Sequence, residues 1–189
     1  MNIMENDLNS YYRFGVFGSA DGDLEHLNEL AYQIGENIAI HNGVILTGGC
    51  SGLPYQAALG AKSKGGFSIG FSPFSNREEH EKNGFPIKPY FLVYTGLGKK
   101  GRNPVTCMNC DAAIFISGRS GTLNEFTIFY DDAKKGSIIG LLDGTGGVVD
   151  NEIKSFWKRV GSEKPTKAKI IYGHDPQKLI EIINRLLVF

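Results

Sequence analysis

The chain has 189 residues, of which 41% are hydrophobic and 21% charged, enough for one domain with a real core. Lys+Arg and Asp+Glu both number 20, and a net charge of zero disfavours a duplex-DNA binder, which needs a basic footprint to neutralise phosphates. Three cysteines do not make a disulfide framework, no run approaches the about 18 apolar residues of a membrane span, and the polar stretch Met1 to Tyr12 has no apolar signal core, so the expectation is a cytoplasmic protein with no membrane partner.

Apolar runs and helical patterns alternate along the chain. Phe14 to Phe17 reads as a buried strand. Leu24, Leu27, Leu30, Ala31, Ile34 and Ile38 then recur at helical spacing, which predicts an amphipathic helix over Asp23 to His41. Val44 to Thr47 is the next strand, about Leu53 to Lys64 a helix, and Phe67 to Phe71 a third strand. Residues 72–88 are polar and contain Pro73 and Pro86, which reads as a long irregular loop. Tyr90 to Tyr94 is a strand, Arg102 to Cys110 a short helix and Ala112 to Ser117 a strand. Thr122 to Lys135 is a helix stopped at Gly136, followed by a strand over Ile138 to Leu142 and a helix over Val149 to Val160. A strand over Lys169 to Tyr172 and a helix over Asp175 to Leu187 close the chain. Strands that are apolar on both faces, alternating with helices, predict an α/β fold: a single-domain, Rossmann-like parallel sheet with helices on both faces, spanning 13–189 behind a polar segment of 1–12.

Glycine is the compositional outlier, 25 of 189 residues against a usual ~7%. Its clusters fall where strands end, and in open parallel sheets ligands bind at that edge. Three loops follow the pattern strand, glycine, helix. In the first, Gly18 and Ser19 precede a helix whose free N–H groups would attract phosphate. It is not G-x-G-x-x-G, and the second strand ends in Thr47-Gly48-Gly49 rather than an acidic residue, so a dinucleotide dehydrogenase is disfavoured. The second loop, with Gly48, Gly49, Ser51 and Gly52, carries more glycine than a turn requires and is read as ligand-contacting. The third runs Ser117-Gly118-Arg119-Ser120-Gly121-Thr122-Leu123-Asn124-Glu125. Gly121 and Thr122 would open a helix toward phosphate, and Thr122-x-x-Glu125 also has the form of a capping box.

With these loops in place, the chain resembles the LOG (lonely guy) phosphoribohydrolases and the related molybdenum cofactor carriers, a superfamily often labelled as lysine decarboxylases. Gly118, Gly121, Thr122 and Glu125 match its P-G-G-x-G-T-x-x-E hallmark, Arg102-Asn103 stands where its Arg-Lys pair would be, and Gly48 to Leu53 is similar to its G-G-x-x-G-L-M segment. The resemblance implies Arg102 and Glu125 as the catalytic pair of an N-glycosidic hydrolase acting on a nucleoside 5′-monophosphate. A carboxylate there would stabilise positive charge on the sugar, and the guanidinium would orient the substrate. Asn103, Arg119 and Ser120 join the two helix-opening residues and the loop glycines as the set expected to hold ligand or phosphate. Ser117, Arg119 and Asn103 depart from the hallmark and shift the resemblance toward the carrier branch, which implies binding of a nucleotide, phosphate or molybdopterin-type ligand without fast turnover. Neither metal nor organic cofactor is required, and no lysine is nominated for pyridoxal phosphate chemistry. The resemblance further implies a homodimer or larger homo-oligomer, with a phosphorylated small molecule as partner and nucleic acid disfavoured.

Other signals read as structural. Cys107-x-x-Cys110 lies at a helix C-terminus, where the dipole opposes a thiolate, and is read as two partly buried cysteines. His26, His41, His80 and His174 have no metal-like spacing and are read as surface or loop residues, and Tyr90, Phe91, Tyr94 and Trp157 as core. Lys99-Lys100-Gly101-Arg102 is either a solvated turn or a phosphate-side patch, and Cys50 sits inside the second loop without a catalytic assignment.

Overall fold

The structure, a computed structural model, describes residues 11–20 and 25–187. Residues 1–10 of the expected polar segment, and Asp23 and Leu24 of the first expected helix, lie outside the described residues.

The described elements run β1 (Arg13–Gly18), α1 (Glu25–Ile40), β2 (Val44–Thr47), α2 (Leu53–Ser63), β3 (Phe67–Ser72), α3 (Arg77–Lys82), β4 (Phe91–Tyr94), α4 (Gly98–Met108), β5 (Ala112–Ile116) and α5 (Ser120–Asp132). They continue as β6 (Ile138–Leu142), a π-helical turn (Val149–Ile153) leading into α6 (Lys154–Val160), β7 (Lys169–Gly173) and α7 (Pro176–Leu187). All seven strands pair in parallel in the order β4-β3-β2-β1-β5-β6-β7. This is the expected Rossmann-like sheet.

Alternation along the central strands feeds two cores. Phe14 and Val16 of β1 and Ala112, Ile114 and Ile116 of β5 point to one face, where they meet Leu27, Ala31, Ile34 and Ile38 of α1, Leu53 and Ala57 of α2 and Leu179 and Ile183 of α7. Phe17, Ala113 and Phe115 point to the other, against Cys107 of α4, Phe126, Phe129 and Tyr130 of α5, and Val149 and Ile153 of the π-helical turn. Phe115 joins a chain of ring contacts through Phe126 to Phe156. On the first face α1 and α2 approach at backbone distance. A Cβ on Gly35 would overlap the carbonyl of Ala57, and one on Gly60 would overlap the carbonyl of Tyr32.

Several expectations are corrected. The segment 72–88 is not wholly irregular: it contains α3, whose N-cap Asn76 accepts from the Glu79 N–H while the Glu79 carboxylate accepts from the Ser75 N–H. His80 is not a surface residue. It is fully buried among Phe74, Phe85 and Tyr94, and its ring nitrogens bond the Ser72 hydroxyl and the Pro86 carbonyl. The Pro86 carbonyl can only accept, so Nε2 donates to it, and Nδ1 shares the other bond with the Ser72 hydroxyl. Helix α4 begins four residues before the expected Arg102 and carries Pro104 inside it. Phe91 on edge strand β4 is 62% exposed and Trp157 38% exposed, so neither belongs to the core, whereas Tyr90 does. Among the described residues no helix is long and apolar enough to cross a membrane.

The α1–α2 contact sets the first expected outcome. Gly35→Val places a branched side chain against the α2 backbone, which cannot yield as a side chain can. The variant should lose about 3 kcal/mol of stability by overpacking, read as a lower urea midpoint.

Candidate functional site

The strand order reverses between β1 and β5. β1 pairs β2 on one side and β5 on the other, and the loops leaving their carboxyl ends diverge to opposite faces. A cavity of about 410 Å³ opens in that crevice. Gly18, Ser19 and Ala20 form its β1 side. Arg119, Ser120, Gly121 and Thr122 form its β5 side, and Arg102, Asn103, Lys99 and Lys100 of α4 close it with Glu125 and Cys50.

Helix α5 starts at this cavity. Arg119, with extended backbone, is its N-cap and caps with no side-chain hydrogen bond; the first intrahelical bond runs from the Leu123 N–H to the Arg119 carbonyl. Thr122 is therefore inside the helix, and the expected Thr122–Glu125 capping box does not form. The N–H groups of Ser120, Gly121 and Thr122 belong to the first turn and have no intrahelical partner. The turn before them is braced from the loop after β6: Ser117 adopts φ 51°, its N–H bonds the Thr145 hydroxyl, and the Val148 N–H bonds the Gly118 carbonyl. Asp150 ties the same loop by accepting from the Gly144 and Gly146 N–H groups, and Lys154 pairs with Asp150 and Asp143.

Arg102 is 7% exposed. Its Nη1 donates to the Phe71 carbonyl at 2.9 Å, while Nε is buried without a hydrogen-bond partner. The guanidinium lies against Gly48, where any Cβ would overlap it. Asn103, buried beside it, donates to the Asn124 side chain at 2.8 Å and so joins α4 to α5. One turn into α5, Glu125 is partly buried on the cavity wall. Burial pushes its carboxyl up to about 7, although the Arg102 and Lys100 cations pull it back down. Cys50 is anchored through its own carbonyl, which accepts from the Tyr90 hydroxyl at 3.0 Å, and burial raises its thiol above the ordinary range against the opposing pull of Arg102.

Of the residues expected at the site, Gly18, Ser19, Arg102, Asn103, Arg119, Ser120, Gly121, Thr122 and Glu125 line one cavity. Gly48, Gly49, Ser51, Gly52 and Gly118 do not. Gly48 makes room for Arg102, Gly49 packs against Gly70 and Leu92, and Gly52 backs the Ser19–Ala20 backbone, where the Leu53 N–H also bonds the Ser19 carbonyl. Ser51 is exposed outside the cavity, and Gly118 packs against Thr122. The lining residues that were not assigned from the sequence are Ala20, Cys50, Lys99 and Lys100; the lysine pair was legible as a basic cluster. Cys107 and Cys110 are buried, free thiols held well above their ordinary pKa by desolvation, which suits packing rather than redox chemistry. Among the described residues no group of three His, Cys, Asp or Glu side chains is arranged to hold a metal ion.

A family model described as the SLOG cluster4 family matches residues 11–180. An uncharacterized protein of Archaeoglobus fulgidus is 32% identical over 123 residues, which make up 65% of this chain and 76% of that protein. Among solved structures, the molybdenum cofactor carrier protein of Chlamydomonas reinhardtii superposes with a TM-score of 0.72 at 23% identity, covering 94% of this chain and 99% of the other. The molybdenum cofactor binding protein of the phototrophic bacterium Rippkaea orientalis does so with 0.69 at 24% identity, covering 94% and 96%. At these identities the likeness is one of fold.

Two outcomes follow from the geometry. Glu125 ionises near 4.5 when unfolded and near 7 when folded, so it adds stability below pH 4.5 that is lost as pH rises through 7. The loss is on the order of 3 kcal/mol, and Glu125→Gln should flatten the pH dependence of the urea midpoint across that window. Gly48→Ala meets the end of a side chain rather than backbone, so the fold should survive with Arg102 displaced. Its thermal midpoint should stay within a few degrees while binding at the cavity falls at least tenfold.

Proposed function

We propose that this chain, which belongs to the SLOG cluster4 family, is a cytoplasmic binding protein for a phosphorylated, nucleotide-like small molecule of the nucleotide or molybdopterin type. The observation that carries this is the convergence of the α5 N-terminus and the largely buried, cationic Arg102 on one cavity at the β1–β5 crevice. Unpaired N–H groups and a fixed cation favour a phosphate without further reorganisation. A volume of about 410 Å³ suits a ligand of one phosphate, one sugar or pyran ring and one bicyclic base or pterin. The residues present fit such a ligand as cargo: Ser120, Gly121 and Thr122 would hold its phosphate, and Ser19 and Asn103 offer polar groups to its rings. The proposal includes a homo-oligomer, as the resemblance implies, with sedimentation equilibrium as its check.

Glu125 beside Arg102 supports a second reading, hydrolysis of the N-glycosidic bond of a nucleoside 5′-monophosphate. The bond from the anomeric carbon to the base nitrogen breaks, a water oxygen bonds to that carbon, and a proton from that water ends on the base. An ionised Glu125 would stabilise the positive charge on the sugar, and Arg102 would hold the substrate in place. No cofactor enters this reaction.

A thermal-shift screen against nucleoside monophosphates, ribose 5-phosphate, inorganic phosphate and a molybdopterin-type ligand, followed by chromatography of each mixture, separates the two. A ligand that raises the midpoint and is recovered intact supports the binding protein. Release of free base supports the hydrolase, in which case kcat/KM should rise with pH through about 7 as Glu125 ionises, and Glu125→Ala should lower it at least 100-fold. No shift with any compound overturns both.

A further inference from the structure

We infer that the face of β3 and β4 that carries Phe67, Phe91 and Val93 is the surface on which a second copy of this chain packs. The inference rests on the homo-oligomer proposed above and names its interface; it does not depend on the ligand. β4 is one edge of the sheet. Its register sets Phe91 beside Ile69 and Val93 beside Phe71, so Phe67, Ile69, Phe71, Phe91 and Val93 stand on one face. Phe71 identifies that face, because it packs against the core under α4 and α5. Among the described residues α4 packs on β3 but not across β4. Beyond the reach of α4 the face is bare: Phe67 is 56% exposed, Phe91 62% and Val93 45%. The two phenylalanine rings touch, with centroids 5.9 Å apart, so this is a patch and not a scatter of single apolar residues.

Charge and area point to a second copy as the occupant. Sheet edges are commonly guarded by a charge, a proline or a bulge. Neither Phe67–Ser72 nor Phe91–Tyr94 contains a charged residue or a proline. The lysines that flank the two strands turn elsewhere. Lys64 pairs with Glu36 of α1, the Lys99 amine lies over the Phe85 ring, and the Lys100 amine lies toward Gly121 on the cavity wall. A partner selected by its charge finds no counterpart on such a face. A twofold contact brings the uncharged patch against itself, and no like charges meet. The exposed parts of the three side chains come to about 350 Å² in each copy. Two copies then bury about 700 Å² of apolar surface. At the roughly 65% apolar share of homodimer interfaces this corresponds to about 1,100 Å² in all, just above the ~1,000 Å² that a specific contact has to clear.

The test is sedimentation equilibrium of the full-length protein over a concentration series, with Phe91→Lys, Phe67→Lys and Ile182→Lys compared with the parent chain. Ile182 is a 42% exposed residue of α7, outside the patch, and serves as the control. Phe91→Lys and Phe67→Lys should each weaken self-association at least tenfold, because each removes an aromatic contact and sets two ammonium groups in one apolar interface. Ile182→Lys should change it less than twofold. Hydroxyl-radical footprinting of the parent chain reads the same face without any substitution: oxidation of Phe67 and Phe91 should fall as the assembly fills, while that of Ile182 stays constant. An assembly that survives Phe91→Lys and Phe67→Lys, or one that leaves Phe67 and Phe91 unprotected, overturns the inference and leaves the homo-oligomer standing. A parent chain that stays monomeric across the series overturns both.

Discussion

Everything at the site depends on one topological constraint, the reversal of strand order between β1 and β5. Parallel strands joined by right-handed crossovers send the connections on either side of such a reversal to opposite faces of the sheet. Here α1, α2 and α7 cover one face and α4 and α5 the other. The loops after β1 and β5 therefore part, and among the described residues no helix fills the gap between them. That gap is the cavity. The β2 loop leaves on the same side as the β1 loop and stands behind it, which is why its glycines back the site instead of lining it.

Within that frame Arg102 is the most demanding residue. A guanidinium that is 7% exposed, with one carbonyl acceptor and a buried Nε that bonds nothing, carries a desolvation cost that its neighbours offset only in part. Gly48 removes the steric obstacle to its position, and the Asn103–Asn124 bond holds α4 against α5. Glu125 experiences the same poorly solvated environment with the opposite sign. Its carboxyl rises to about 7 despite two nearby cations, so desolvation outweighs attraction at this point of the wall.

The sequence disclosed the elements unevenly, for physical reasons. Long apolar periodicity made the sheet, α1 and α7 legible. Helix α3 was hidden because REEHEK has no apolar stripe; its stability comes from the Asn76 cap and from His80, which Phe74 and Phe85 of the flanking loops and Tyr94 of β4 bury. The start of α4 was hidden by two glycines and by Pro104, which usually marks a first turn. The Thr122–Glu125 spacing suggested a cap, but the N-cap of α5 is Arg119, and the turn before it draws its bracing from Thr145 and Val148, beyond any local pattern.

The sequence by itself determined the fold class, the strands and the edge on which loops gather, whereas the interest in Arg102 and Glu125 came from a family resemblance. Those follow from local periodicity, composition and motif, which are properties of neighbouring residues. Tertiary structure alone decided which glycines line the cavity and which merely make room, where the amines of Lys99 and Lys100 go, and how far the Glu125 carboxyl is shifted. Each of these depends on burial and on contacts between segments far apart in the chain, and no spacing rule along the chain encodes the distance between two loops that only the sheet brings together.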